Sequence, residues 1–116
     1  MGKQEVNKLI EDQILCRIAF KGLKYPYIAP FQHVNMNNTL YFHFTDYGRK
    51  IKLFESGNRI CVEIEKFQPN LREYKFISIR GKLKVVEEPQ ERREVIRRMA
   101  KIDDKNFHST FSLHMA

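Results

Sequence analysis

The chain has 116 residues, 42% of them apolar and 30% charged, which suits one globular core and leaves little for a second domain. Lysine and arginine outnumber aspartate and glutamate by 21 to 14, giving a net charge of +7 that is spread over both halves of the chain. This composition excludes a wholly disordered chain, and no run approaches the ~20 apolar residues of a membrane helix. The polar N-terminus lacks a signal-peptide pattern, so the expected location is cytoplasmic with no membrane partner. A single domain over residues 1–116 is expected, with 103–116 a weakly patterned tail. The positive charge favours an anionic partner: nucleic acid, a phosphorylated ligand or a membrane surface. Cys16 and Cys61 have no disulfide or zinc spacing and read as reduced, buried thiols.

Residues 4–13 predict an amphipathic helix, because Val6, Leu9, Ile10 and Ile14 share one stripe of a 3.6-residue period. A strand is expected over Ile14–Phe20. Tyr25–Val34 is extended, since Pro26 and Pro30 remove donors and hold their predecessors out of the helical region. Asn35-Met36-Asn37-Asn38 reads as a turn, and Thr39–Phe44 as a strand of aromatic and β-branched residues. A short helix follows over Arg49–Glu55, stopped at Gly57-Asn58. Alternation marks a strand through Ile60, Val62 and Ile64. The longest strand spans Arg72–Val86, with Ile77, Ile79, Leu83 and Val85 on one face and Gly81 marking a bulge or bend. Pro89 opens a last helix over about 90–102, with Val95, Ile96, Met99 and Ile102 as its buried stripe. The fold class is mainly β with flanking helices: short antiparallel strands that close into a small barrel.

No dinucleotide fingerprint, phosphate-binding loop or HExxH motif occurs, and the four histidines have no metal-site spacing. The informative stretch is Phe42-His43-Phe44-Thr45-Asp46-Tyr47-Gly48-Arg49-Lys50. Arg49 and Lys50 fall in the first turn of a predicted helix, where the macrodipole disfavours cations. Either a bound phosphate compensates, with Thr45 adding a hydroxyl, or both cations point to solvent and Asp46 caps the helix. The arginines of 92–98 could meet nucleic acid, but Glu91 and Glu94 beside them read as a solvated, salt-bridged face.

These segments, taken in order, resemble the FMN-binding split-barrel family, the pyridoxamine 5'-phosphate oxidase-like proteins, and within it the nitroimidazole-resistance-like branch. The resemblance covers about Ile14 to Ile102 and rests on "YPYIAPF", "LYFHFTDYGRKIKLF", "NRICVEIE" and "YKFISIRGKLKVV" occurring in that order. It implies a six-stranded antiparallel split β-barrel, an FMN cofactor and a homodimer with FMN at the interface. It places the strand Ala29, Pro30, Phe31, Gln32, His33 and Val34 along the flavin ring, and Phe44, Thr45, Arg49 and Lys50 around the phosphate. Tyr74 matches a family tyrosine, and His43 matches a family histidine that reads equally as a catalytic candidate or as a barrel-surface residue. The sequence departs from the family at Phe76, where a serine is common, and has no Trp. Phe107–Ala116 is a doubtful substitute for the usual closing strand.

The function expected from the resemblance is an FMN-dependent reductase or oxidase that transfers hydride at flavin N5, with NAD(P)H or another small molecule as substrate. A non-catalytic carrier of FMN, haem or a deazaflavin is the alternative. A nucleic-acid-binding barrel ranks third, because the aromatic residues do not interleave with cations.

Overall fold

The computed structural model of the chain describes residues 1–22, 24–44, 57–100 and 109–115. These form α1 (Lys3–Asp12), β1 (Leu15–Phe20), β2 (Tyr27–Met36), β3 (Thr39–Phe44), β4 (Arg59–Phe67), β5 (Tyr74–Lys82), β6 (Lys84–Val85), α2 (Pro89–Ala100) and β7 (Ser109–His114). The helix expected over Arg49–Glu55 and the contribution of Ile102 lie outside the described residues.

The sheet order is β5-β4-β1-β2-β3-β7-β6, and every described pairing is antiparallel. Its two ends, β5 and β6, are successive pieces of one chain segment separated only by Leu83. The strand expected over 72–86 is therefore one bent strand: β5 pairs with β4, and β6 pairs with β7. Counted once, it gives the expected six strands and joins the two sheet edges covalently. The Leu83 N–H donates to the Asn58 carbonyl at 2.7 Å, across the bend. A Cβ at Gly81 would fall on the tip of the Leu113 side chain inside the barrel, which would have to shift to admit it.

The weakly patterned tail is a strand after all. Ser109–His114 runs between β3 and β6 and buries Phe111 and Leu113 in the barrel core. Two alternating apolar residues are too short a signal to announce it, and its stability comes from pairing on both sides. The β2–β3 turn is also tighter than expected. Asn35 and Met36 stay in the strand, and only Asn37 and Asn38 turn, with φ of 53° and 57°. That is the double left-handed conformation of a two-residue hairpin, which asparagine tolerates.

Two apolar layers result. The barrel interior holds Ile18, Phe20, Phe31, Leu40, Phe42, Val62, Ile64 and Leu83, closed at one end by Leu9 and Ile10 of α1. A second cluster lies between the outside of the sheet (Val34, Met36, Tyr41 and Val86) and α2 (Val95 and Met99). Helix α2 begins at Pro89, and the Glu88 carboxylate accepts the Gln90 and Glu91 N–H groups at 3.0 and 2.7 Å, an N-cap not foreseen from the sequence.

This second layer corrects one expectation. Val85, expected in the buried row, is 48% exposed, whereas Val86 is 5% exposed because α2 covers its face of the sheet. Val86→Asp is therefore expected to lower folding stability by roughly 3 kcal/mol or more. Val85→Asp should stay within roughly 0.5 kcal/mol of the parent. Chemical denaturation of the two variants checks the order, which uninterrupted strand alternation would reverse.

Candidate functional site

Strand β2 changes partners along its length. Tyr27–Gln32 are in register with β1, from Phe20↔Tyr27 to Leu15↔Gln32. His33–Met36 are in register with β3, from His33↔Phe42 to Met36↔Thr39. Strand β3 continues past Phe42 on β7 instead, pairing His43 with Thr110 and Phe44 with Ser109. The two sheets that share β2 thus change over between Gln32 and His33. Ala29 brings only a methyl group, and Pro30 lacks an amide hydrogen, so a flat group meets little steric or polar obstruction beside them.

The six expected ring-flanking residues differ in how their side chains are used. Phe31 is in the barrel core, its ring 6.0 Å from Phe20 in an edge-on arrangement. Val34 packs under α2. Pro30 is exposed and lies across from Arg17, which is ion-paired with Glu65 and, at 3.4 Å, with Glu63. Ala29 and Gln32 are half-buried. A ligand along this strand would meet backbone at most positions and the Pro30 side chain at one.

His33 is only 3% exposed, and its Nε2 lies 2.9 Å from the Ile10 carbonyl oxygen of α1. That contact assigns the proton to Nε2, leaving Nδ1 buried as an acceptor without a hydrogen-bond partner among the described residues. Burial holds the imidazole below its usual pKa, against the smaller opposing effect of the Ile10 carbonyl. The residue borders a groove of about 510 Å³ together with Gln13, Asn35, Arg97 and Arg98. Both arginines are engaged by Glu94, at 2.6 and 3.1 Å, and the Glu94 carboxyl is pulled down to about 2. The expected salt-bridged helix face is therefore present. Glu91 instead accepts the Tyr41 hydroxyl.

Tyr74 is not brought to β2. It sits on β5, three strands away across β4 and β1, or about 14 Å at ordinary strand spacing. It is half exposed, with its ring 5.7 Å from that of Phe76. His43 and Phe44 end β3, where their backbone pairing with β7 is described. Thr45, Arg49 and Lys50 lie outside the described residues. Cys16 is buried, and its thiol is pushed up to about 12 by desolvation. Cys61 departs from the expected burial: it is half-buried on the outward face, with Sγ 3.0 Å from Ser78 Oγ.

The family model for pyridoxamine 5'-phosphate oxidase matches residues 2–111. The chain belongs to this family. Its barrel is similar to that of an FAD-binding protein from Mesorhizobium loti, with a TM-score of 0.82 and 18% identity over 99% of this chain and 88% of the other. A candidate 5-nitroimidazole antibiotic resistance protein from Bacteroides thetaiotaomicron superposes with a TM-score of 0.76 and 22% identity, covering 97% of this chain and 78% of the other. The haem storage protein HutZ from Vibrio cholerae matches with a TM-score of 0.81 and 11% identity, over 98% and 89% of the two chains. At these identities the likeness is one of fold, the split barrel. No curated protein matches the chain. Among the described residues, no helix is long and apolar enough to cross a membrane.

In this family member, His33 couples stability to pH. A buried histidine with a depressed pKa leaves the unfolded chain binding more protons, so stability falls as pH drops below about 6.5. The groups around it are the Ile10 carbonyl and, along the groove, Glu11, Arg97 and Arg98. The melting temperature is expected to fall over that window in the parent and to stay flatter in His33→Gln. Parallel pH profiles for the two proteins would contradict the assignment.

Proposed function

We propose that this chain is an FMN-binding flavoprotein, a small flavin-dependent oxidoreductase that works as a homodimer. The observation that carries the reading is the parting of the sheets between Gln32 and His33, in a chain whose family match spans 2–111. In this reading, the Ala29–Val34 backbone flanks the ring. Thr45, Arg49 and Lys50 hold the phosphate beyond the end of β3 at Phe44. Arg49 offers forked donors and Lys50 a point charge. Bound FMN would supply hydride transfer at flavin N5, and the protein would supply orientation and a charged anchor. His43 is the candidate for a catalytic side chain, because β3 carries it past the same parting.

The dimer is supported by the outward face of β1, β2, β4 and β5. Leu15, Ile28, Phe67, Tyr74 and Phe76 there are each more than half exposed. Large apolar side chains exposed together on one sheet face suit burial against another protein surface. A second copy would cover this face and bring its Tyr74 toward β2, which the same chain's Tyr74 does not reach. A non-catalytic carrier of flavin or haem is the second reading. It is favoured by the haem storage protein and FAD-binding proteins among those of similar fold.

Adding FMN to the purified protein should yield a saturable flavin spectrum. Arg49→Ala with Lys50→Ala should weaken FMN by at least about tenfold, while riboflavin changes by less than about threefold. A protein that ignores FMN, or loses both ligands equally, would contradict the site. Phe76→Glu should shift the species seen by light scattering from dimer to monomer. NAD(P)H oxidation by the FMN-loaded protein separates oxidoreductase from carrier.

A further inference from the structure

The outward face of the barrel carries a second charged feature, at the end where β1 stops and β4 begins. Arg59 of β4 is directly opposite Lys82 of β5, and Cys61 is opposite Arg80. On the other side of β4, Phe20 is opposite Ile60, so the next step of the same register sets Lys21 beside Arg59. Three cations therefore stand abreast on three neighbouring strands: Lys21, Arg59 and Lys82. Arg80 follows in the adjoining row.

That adjoining row is low. Ala19 and Cys61 are in register with each other and have short side chains, so the long cations rise around them. The result is a depression of about 620 Å³ lined by Lys21, Arg59, Arg80 and Lys82 over a floor of Ala19 and Cys61, with no carboxylate among its lining residues. None of the four cations makes a side-chain hydrogen bond or ion pair among the described residues. Like charges directly opposite one another destabilise a sheet. Farther along this same face the fold avoids that conflict, because Arg17 meets Glu63 and Glu65.

We propose that this depression binds a ligand carrying a diphosphate group, such as a free nucleotide, at a site separate from the flavin phosphate anchor. An anion lying across the row would turn three mutually repelling charges into shared donors, two of them point charges and one a fork. The row spans two strand spacings, about 10 Å. That suits a short chain of linked phosphates. A nucleic acid would touch so short a row with only a few of its phosphates, and the other basic cluster, on α2, is engaged by Glu94.

The test uses the full chain and inorganic pyrophosphate, titrated by calorimetry with and without FMN. The parent should bind pyrophosphate more tightly than orthophosphate. Arg59→Gln with Lys82→Gln should weaken pyrophosphate by at least about tenfold while FMN affinity changes by less than about twofold. Arg49→Ala with Lys50→Ala should leave pyrophosphate binding unchanged, which separates this site from the flavin reading whether or not FMN binds. The Arg59→Gln/Lys82→Gln variant should also melt higher than the parent in anion-free buffer, because a repulsion is removed, and should gain less from added pyrophosphate. Equal pyrophosphate affinity in parent and Arg59→Gln/Lys82→Gln would overturn the proposal, as would loss of binding in the Arg49→Ala/Lys50→Ala variant. So would tight binding of a short single-stranded oligonucleotide by a protein that does not take up pyrophosphate.

Discussion

A sheet leaves a row of unpaired backbone groups along each edge, and this fold joins its two end strands through one bent segment. The segment from Tyr74 to Val85 bends at Leu83, so that β5 completes the ladder on β4 and β6 completes it on β7. Everything else depends on that bend. It places Gly81 against the tip of the Leu113 side chain and buries the apolar Leu83 fully. It needs β7 in place, since Leu113 fills the space Gly81 leaves.

The two sheets also part within β2, and the chemistry is proposed there. Strand β2 pairs with β1 over its first part and with β3 over its second, so the two sheets separate where the partner changes. The parting is thus a by-product of how backbone hydrogen bonds are shared. Phe31 packs in the barrel core, His33 against α1 and Val34 under α2.

Charge on this protein is organised by partner. On α2, Glu94 collects Arg97 and Arg98, and on the lower part of the outward face Arg17 is matched by Glu63 and Glu65. Lys21, Arg59, Arg80 and Lys82 have no such match among the described residues, and they stand together at one end of the sheet. The apolar residues Phe67, Tyr74 and Phe76 occupy the opposite end of the same face. One sheet surface therefore presents two different invitations, one to an anion and one to a second apolar surface.

Much of this was legible in the chain itself. Periodicity located α1, β1, β3, β4 and most of α2, and the order of short motifs identified the family, because local patterns reflect which face of each element meets the core. Placing a flavin beside Ala29–Val34 was an implication of the resemblance, and the sequence reading went no further. It could not say that Tyr74 lies three strands from that segment, nor that Val86 and not Val85 is buried. Nor could it tell that Ser109–His114 forms a strand. The unpaired cationic row was hidden for the same reason: Lys21, Arg59 and Lys82 are far apart in sequence and come abreast only through strand register. Hydrophobic pattern is a property of neighbours along the chain. Register, helix cover and strand exchange are set by which backbone groups find partners across it, and only the tertiary structure decides that.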